Sequence, residues 1–216
     1  MIKLAQAFLK ITAWPIYWLV FRTKIYYEDK SVQSRKIKGS AIIISNHTSV
    51  YDFALMIFLF PFRSLRYLMA EILFKKKGLG LFLKSQGGIK VDRDNFNFSF
   101  VSKCEDILQK GGVVGSFPES RLPKDGEERP LPFKPSTAYI AYLSGAPVIP
   151  VYTDGEYFTK KRARVIIGKP IDVNEFIDEN LTEKENIERI NSEFRRRVLE
   201  LEDELNKRKT KKKKSV

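Results

Sequence analysis

His47 and Asp52 are five residues apart, and His47 is the only histidine of the chain. On a continuous helix this spacing would turn the second side chain about 140° away from the first, so the pair must straddle a turn. If Ser49 caps a helix running from Val50 towards Phe60, Asp52 lies at its third position and can reach back to the imidazole. A carboxylate that orients an imidazole is the arrangement that activates a hydroxyl. The spacing predicts general-base chemistry, with a capping acid beside a loop histidine as the alternative.

Charged residues also follow two apolar segments further along the chain. Arg93 comes directly after Gly88–Asp92, while Glu119 and Arg121 come after Val113–Phe117. Ligands of α/β sheets bind at the ends of strands, and two arginines meeting there would suit a phosphate. For Glu119 the alternative is a salt bridge to a neighbouring arginine.

These residues need a framework that brings the ends of strands together. Short, β-branched apolar segments alternate with the helical stretches 97–110 and 136–144, which end at glycines. Apolar residues from Ile187 to Leu205 recur every three or four positions and predict a long amphipathic helix. We therefore predict an α/β fold with a mixed, largely parallel sheet flanked by helices. The predicted strands are Ala41–Ser45, Gly88–Val91, Val113–Phe117, Val148–Tyr152 and Arg164–Gly168.

Composition limits the classes of protein that remain. The 216 residues are 43% hydrophobic, which excludes disorder over most of the chain, and 39 basic minus 26 acidic residues give a net charge of +13. The single cysteine, Cys104, excludes an internal disulfide and a zinc site built from several thiolates. We expect a reducing compartment, no metal and no cofactor.

The N-terminal segment, residues 1–25, predicts a helix lying in a membrane interface. Its longest run without charge, Ile11–Phe21, has eleven residues, well short of the roughly 20 that span a bilayer. We expect aromatic rings at the depth of the lipid headgroups and basic residues beside their phosphates. The aromatic residues are Trp14, Tyr17 and Trp18, and the basic ones are Lys3, Lys10, Arg22 and Lys24. Packing of this segment on the domain's own core is the alternative.

The C-terminal residues 206–216 carry seven positive charges and predict a disordered polybasic tail after a domain at 26–205. Such a tail would bind an anionic membrane surface or nucleic acid, or would only aid solubility. Since phenylalanines and tyrosines here lie mostly within apolar runs, they predict core residues and not stacking platforms for bases. We therefore expect an anionic membrane surface as the partner and do not expect nucleic acid.

Four blocks occur in order along the chain: Asn46-His47 with Asp52, then Gly88-x-x-Val91-Asp92-Arg93, then Phe117-Pro118-Glu119, and Val148-Ile149-Pro150-Val151. Together they resemble the lysophosphatidic acid acyltransferase family of glycerolipid acyltransferases, over roughly Ile42 to Gly168. One block departs from the family pattern, because Ser120 stands where the family usually has glycine and Arg121 comes one position early.

The resemblance implies an O-acyltransferase that moves a fatty acyl group to the free hydroxyl of 1-acylglycerol-3-phosphate, with acyl-CoA or acyl carrier protein as donor. It implies His47 as general base and Asp52 as the group that orients it. The substrate-binding residues would be Arg93, Glu119, Arg121, Asn46 and Gly88. With the N-terminal segment, it predicts peripheral or monotopic association with the cytoplasmic face of a membrane. Another lysolipid acceptor, or a non-catalytic basic module that binds lipid or nucleic acid, remains open.

Overall fold

Seven strands form one mixed sheet in the computed structural model, which describes residues 1–92, 99–159 and 161–213, with side chains of the last helix to residue 208. The strands are β1 (Lys24–Tyr27), β2 (Ala41–Ser45), β3 (Leu65–Ala70), β4 (Ile89–Val91), β5 (Val113–Ser116), β6 (Val148–Thr153) and β7 (Arg164–Ile167). Their order is β1-β7-β6-β2-β5-β3-β4, and only β6 and β7 pair antiparallel. The predicted mixed, largely parallel sheet is confirmed.

Helices cover both faces of the sheet and bury its near-continuous apolar strands. In the described part of the chain they are α1 (Ile2–Thr12), α2 (Trp14–Phe21), α3 (Asp52–Leu59), α4 (Ile72–Lys75), α5 (Lys77–Ser85), α6 (Ser99–Gln109), α7 (Ser136–Ser144) and α8 (Glu183–Lys213), with a 3-10 turn at Val173–Phe176. The first layer, α1–α5, encloses a core around Leu55 and Tyr67, and the second layer, α6–α8, encloses one around Cys104 and Phe194.

The sequence patterns do not predict strands β1 and β3. All four residues of β1 are half-buried at the edge of the sheet, so the strand carries no alternating pattern. Strand β3 does alternate, with every second residue buried, but its leucine, methionine and alanine favour a helix as much as a strand. Tertiary packing makes this segment a strand, because it pairs with β5. The ring of Tyr67 packs directly over Gly115 of β5, where a Cβ atom on residue 115 would come within 2.3 Å of the ring.

The N-terminal segment is a pair of helices bent by 62°, with one side packed on the domain. Tyr17, which we predicted at headgroup depth, is instead buried and stacks on Phe58 with ring centroids 4.4 Å apart. Trp14 and Trp18 are exposed, as an interfacial position requires. Among the described residues, no single helix is long and apolar enough to cross a membrane, whereas α1 and α2 together meet that test across their bend.

Lys10 also lies elsewhere than predicted. Its ammonium donates to the main-chain carbonyls of Pro61 and Arg63, at 3.1 and 2.7 Å, just after the end of α3. Burial lowers the pKa of Lys10 to about 8. This lysine therefore fastens α1 to the domain instead of facing lipid phosphates.

The last helix is longer than the sequence pattern indicates. Its apolar face ends at the buried Leu205, where we placed the start of a disordered tail, but the helix continues to Lys213. Lysine and arginine are good helix formers, and extending an existing helix costs little. Arg208 also donates to the main-chain carbonyl of Tyr27, which fixes the start of the polybasic segment against β1.

Candidate active site

The site lies where three adjacent strands end. β2 is flanked by β5 and β6, all three run parallel, and His47, Glu119 and Thr153 lie at or just beyond their carboxyl ends. The carboxyl edge of a parallel sheet is where α/β proteins bind ligands, because successive loops converge there. The topology thus gathers groups up to 107 residues apart in the chain.

The imidazole of His47 is paired with the carboxylate of Asp52. Its Nδ1 lies 2.8 Å from Asp52 Oδ2, and Asp52 is fully buried while 18% of the His47 side chain is exposed. A carboxylate only accepts, so it favours the tautomer with the proton on Nδ1 and the lone pair on Nε2. The predicted contact is confirmed, and Nε2 is left as the nitrogen that can take a proton.

The helix that carries Asp52 begins later than predicted. α3 starts at Asp52 itself, with Tyr51 in the capping position, and the Ser49 hydroxyl accepts only a 3.2 Å bond from the Tyr51 N–H. Asp52 thus stands at the first position and not the third. Its carboxylate turns back over the loop and accepts from the N–H groups of Thr48 and Ser49, at 2.6 and 2.9 Å. A negative charge is favoured at this end of a helix.

Two further donors complete the surroundings of the carboxylate. Oδ1 of Asp52 accepts from the hydroxyls of Thr48, at 2.9 Å, and Tyr157, at 2.6 Å. Burial, followed by the nearby charge of Asp52, raises the pKa of Tyr157, so its hydroxyl stays protonated and donates. Asp52 is therefore held in one orientation by groups from its own loop and from the loop after β6.

Tyr157 was not predicted from the sequence, because it lies 105 residues from Asp52 and in none of the four blocks. In the sequence, the glycine at position 155 could have indicated a tight turn near Tyr157. The structure gives Gly155 a φ of +68°, as such a turn requires. A Cβ at Gly155 would come within 2.7 Å of the Thr48 hydroxyl. The glycine thus lets the Tyr157 loop approach the histidine loop.

An aromatic stack fixes the plane of the imidazole. The rings of His47 and Phe117 lie 4.4 Å apart and 9° from parallel, and Phe117 in turn stacks on Tyr67 at 5.1 Å. The stack restrains the face of the His47 imidazole, and the hydrogen bond from Nδ1 to Asp52 restrains one edge of it.

Among the described residues, Glu119 is bound by main-chain groups. It is 2% exposed, and its two carboxylate oxygens accept from the N–H groups of His47, at 2.7 Å, and Leu131, at 2.8 Å. Burial raises the pKa of Glu119, while these two hydrogen bonds lower it. The structure thus makes Glu119 a support for the histidine loop, and Glu119 forms no salt bridge with any arginine that the structure describes.

Asn46 has a similar structural role. Its side chain is buried. Nδ2 donates to the Thr153 carbonyl and Oδ1 accepts from the Thr153 N–H, both at 2.9 Å. We predicted Asn46 as a substrate ligand, but these bonds occupy its side chain in joining the ends of β2 and β6.

The second block lies on β4, the strand at one end of the sheet. β4 is the third strand from β2, about 14 Å away at the usual spacing of strands. A Cβ on Gly88 would come within about 3.0 Å of the Leu83 carbonyl and the Phe74 ring, so close packing is sufficient to explain the glycine at this position, which we predicted to contact substrate. The predicted phosphate ligand Arg93 lies outside the described residues.

Arg121 lies on the exposed part of the loop after β5. Its guanidinium forms a forked pair with Glu127, with bonds of 2.7 and 2.8 Å. The preceding Ser120 has a φ of +64°, a left-handed conformation that costs a residue other than glycine about 1 kcal/mol. That backbone explains why glycine is usual here in the family that the sequence resembles.

Comparison with known proteins agrees with the geometry. A model of the acyltransferase family matches residues 23–154. The 1-acyl-sn-glycerol-3-phosphate acyltransferase of Bacillus subtilis (strain 168) is 29% identical over 171 residues, which are 76% of this chain and 82% of that protein. The 1-acyl-sn-glycerol-3-phosphate acyltransferase of Limnanthes douglasii is 29% identical over 132 residues, 60% of this chain and 46% of the plant protein.

The fold also has a solved counterpart. The crystal structure of the 1-acyl-sn-glycerophosphate (LPA) acyltransferase PlsC from Thermotoga maritima matches with a TM-score of 0.64 and 23% identity, covering 93% of this chain and 79% of that one. This likeness is one of fold. Because the family match spans more than half of the sequence and includes the His47–Asp52 pair, this chain belongs to the acyltransferase family and is an enzyme homologous to 1-acylglycerol-3-phosphate O-acyltransferases.

Proposed function

We propose that this acyltransferase moves a fatty acyl group from a thioester donor, acyl-CoA or acyl carrier protein, to the free hydroxyl of 1-acylglycerol-3-phosphate, giving phosphatidic acid. The observation that carries the proposal is the His47–Asp52 pair, with Nδ1 bound at 2.8 Å and Nε2 left as a base. The names of the relatives from Bacillus subtilis and Limnanthes douglasii support the choice of acceptor.

In the proposed step, Nε2 of His47 removes the proton of the acceptor hydroxyl while that oxygen bonds to the thioester carbon. The tetrahedral intermediate then collapses, the C–S bond breaks, and the leaving thiolate takes the proton from the imidazolium. The acyl group passes directly between the substrates, so no covalent bond to the protein forms. A general base of this kind contributes about 10²–10⁴ in rate.

Asp52 stabilises the imidazolium, because its carboxylate is fixed by four donors besides the imidazole and need not reorganise when the charge forms. Glu119 and Asn46 support the loop that carries the histidine. For the phosphate of the acceptor we propose Arg93 and Arg121 as ligands, since guanidinium groups fork onto phosphate oxygens. Arg121 would exchange its partner Glu127 for the substrate.

We further propose that the enzyme binds the cytoplasmic face of a membrane through α1 and α2, whose outward sides carry large exposed apolar residues. These are Leu4, Phe8, Ile11, Trp14, Ile16, Trp18 and Leu19. Both lipid substrate and lipid product could then be exchanged laterally with the bilayer. The polybasic end of α8 would add attraction to anionic lipid, about 1 kcal/mol per basic residue near the surface.

The reaction is tested by assaying the purified protein with each thioester donor against each lysolipid acceptor, and identifying products by mass spectrometry. We expect phosphatidic acid from 1-acylglycerol-3-phosphate, and about 10²–10⁴ less of it from His47→Ala. Full activity of His47→Ala would show that the base is assigned wrongly. Absence of acyl transfer from every donor would refute the reaction itself.

The membrane proposal needs variants of the full chain, because Tyr17 and Phe21 are part of the core and deletion of the segment would disturb folding. We expect Phe8→Glu with Trp18→Glu to lose sedimentation with anionic vesicles while keeping its melting temperature. Unchanged sedimentation would contradict the proposal.

One observation favours a second acceptor. Ser120 keeps a left-handed φ while placing a hydroxymethyl group where the family usually has none, beside the proposed phosphate ligand Arg121. Another lysolipid headgroup would fit such a narrowed site. If so, Ser120→Gly will shift the ratio of kcat/KM values towards 1-acylglycerol-3-phosphate, and an unchanged ratio would remove this candidate.

A further inference from the structure

The helices α4 and α5 expose apolar side chains outside the N-terminal segment. Ile72 is 62% and Leu81 73% exposed, and Leu73, Leu79 and Phe82 are exposed beside them. Single exposed apolar residues are ordinary, but a group this large within fifteen residues marks a surface that meets a partner or a membrane.

The core fixes this surface in place. Phe74 and Leu83, on the inner sides of α4 and α5, are buried in the first-layer core. Gly80 lets the two helices approach, since a Cβ there would come within 2.3 Å of the Phe74 carbonyl oxygen. The apolar residues between these anchors are therefore held outward by the packing and are not the ends of a loose loop.

The charged residues within this surface are all lysines. From residue 72 to residue 91 the chain contains five lysines and no acidic residue. Lys75, Lys76, Lys77 and Lys84 are exposed, and none of these four forms an ion pair with the residues that the structure describes. Apolar side chains flanked by lysines are the composition of a segment that lies in an anionic interface.

The surface adjoins α1. The Gln6 amide of α1 donates to the carbonyl of Gln86, just after α5, at 2.7 Å, and a Cβ on Gly87 would lie 3.0 Å from Ile2. Both helices pack on the same face of the sheet, so their outward sides belong to the same layer. An object that contacts the exposed side of α1 would thus have α5 beside it.

We propose that α4 and α5 form a second membrane-contact element, whose partner is a bilayer containing anionic phospholipid. A bilayer accounts for both the exposed apolar residues and the lysines. The apolar side chains would enter the boundary between headgroups and acyl chains, and the lysines would contact lipid phosphates. The proposal shares with the proposed function only the premise of membrane contact, and it needs no acyl transfer to be tested.

The first test uses Ile72→Glu with Leu81→Glu in the full chain, and Leu143→Glu on the opposite layer as the matched control. We expect the double variant to bind phosphatidylglycerol-containing vesicles at least about tenfold more weakly than wild type, and the control to bind equally well. Equal melting temperatures show that folding is kept. Wild-type binding by the double variant would overturn the proposal.

A second test reports the position of the surface directly. Cys104 is wholly buried and burial raises its pKa to about 12, so an added cysteine would be the reactive thiol of the folded chain. We expect an environment-sensitive fluorophore on Leu81→Cys to shift to the blue on addition of anionic vesicles, and one on Leu143→Cys not to shift. No shift at position 81 would overturn the proposal. So would a blue shift at position 81 without vesicles that vanishes on dilution, since a second copy of the chain would then cover this surface.

Discussion

The two helical layers of the sheet meet their surroundings with different side chains. The first layer, α1–α5, exposes large apolar residues along α1, α2, α4 and α5. In the second layer, the described part of α6–α8 exposes one such residue, Leu143. Its surface consists instead of charges of both signs in ion pairs, among them those of Arg196 and Arg197 with Glu200 on α8.

The difference teaches that packing against the sheet does not decide whether the outward side of a helix is polar or apolar. Helix α8 has one apolar face, which the core covers, and a charged face for water. Helix α2 is apolar on both sides, burying Tyr17 and Phe21 inward while Trp18 and Leu19 remain exposed outward. The His47–Asp52 pair lies just beyond the carboxyl end of the central strand β2.

The largest effect should come from changing the His47–Asp52 pair, and it should fall on kcat without altering how the first layer binds vesicles. We expect Asp52→Asn to lower kcat by about 10²–10⁴ with a short-chain, water-soluble acceptor, because the imidazole loses the group that orients it. Vesicle sedimentation of the same variant should equal that of wild type. A variant with wild-type kcat would contradict the role given to Asp52.

The free energy of unfolding should distinguish the core of the second layer from the outward side of the first. Phe194→Ala empties a wholly buried position of the second-layer core and should reduce the free energy of unfolding by about 3–5 kcal/mol. Phe8→Ala removes a ring of the same size that is 69% exposed on α1, and should change it by less than about 0.5 kcal/mol. Denaturant unfolding in the absence of lipid measures both. Similar losses in the two variants would mean that the outward side of α1 is part of the core.

Charge should separate the layers as well. Replacing Lys75, Lys76 and Lys77 by glutamine should weaken binding to anionic vesicles by roughly fivefold per lysine, and raising the salt concentration should abolish the difference. Arg196→Gln, on α8, is the matched control and should bind as wild type does. If the control weakened binding equally, net charge and not the first layer would govern the interaction.

The smallest effect should come from Tyr157→Phe. This change removes one donor from Asp52 while Thr48 keeps its own bond to the same oxygen, so kcat should fall about tenfold with KM unchanged. Because the N–H of Phe158 donates to the Val20 carbonyl on α2, the same loop also links the pair to the first layer. A higher KM with kcat preserved would instead place Tyr157 at the acceptor site.

The fold was predicted correctly where the residue types of a segment are sufficient to indicate its secondary structure. The β-branched run Ala41–Ser45 could only be a buried strand, and Ser136–Ser144 lies between a proline and a glycine that bound the helix as predicted. The edge strand β1 and the leucine-rich β3 were missed, because their state depends on neighbours that come later in the chain.

Within the site, the His47–Asp52 contact followed from a spacing of five residues, because a local turn brings them together. The partners of Glu119 and Asn46 did not follow from the sequence. Each side chain is bound by main-chain groups that lie 12 to 107 residues away, and main-chain groups leave no mark in the sequence. Residue type thus indicated that these positions matter without indicating what they bind.

The sequence by itself determined the α/β class, the contact between His47 and Asp52, and the excess of basic and apolar residues, since these depend on local spacing and composition. Only the tertiary structure decided that Tyr17 and Lys10 face inward, that Tyr157 holds Asp52, and that α5 shares the exposed apolar layer of α1. The physical reason is that the direction of a side chain depends on which elements pack beside it. Parallel strands make those neighbours from segments distant in the chain.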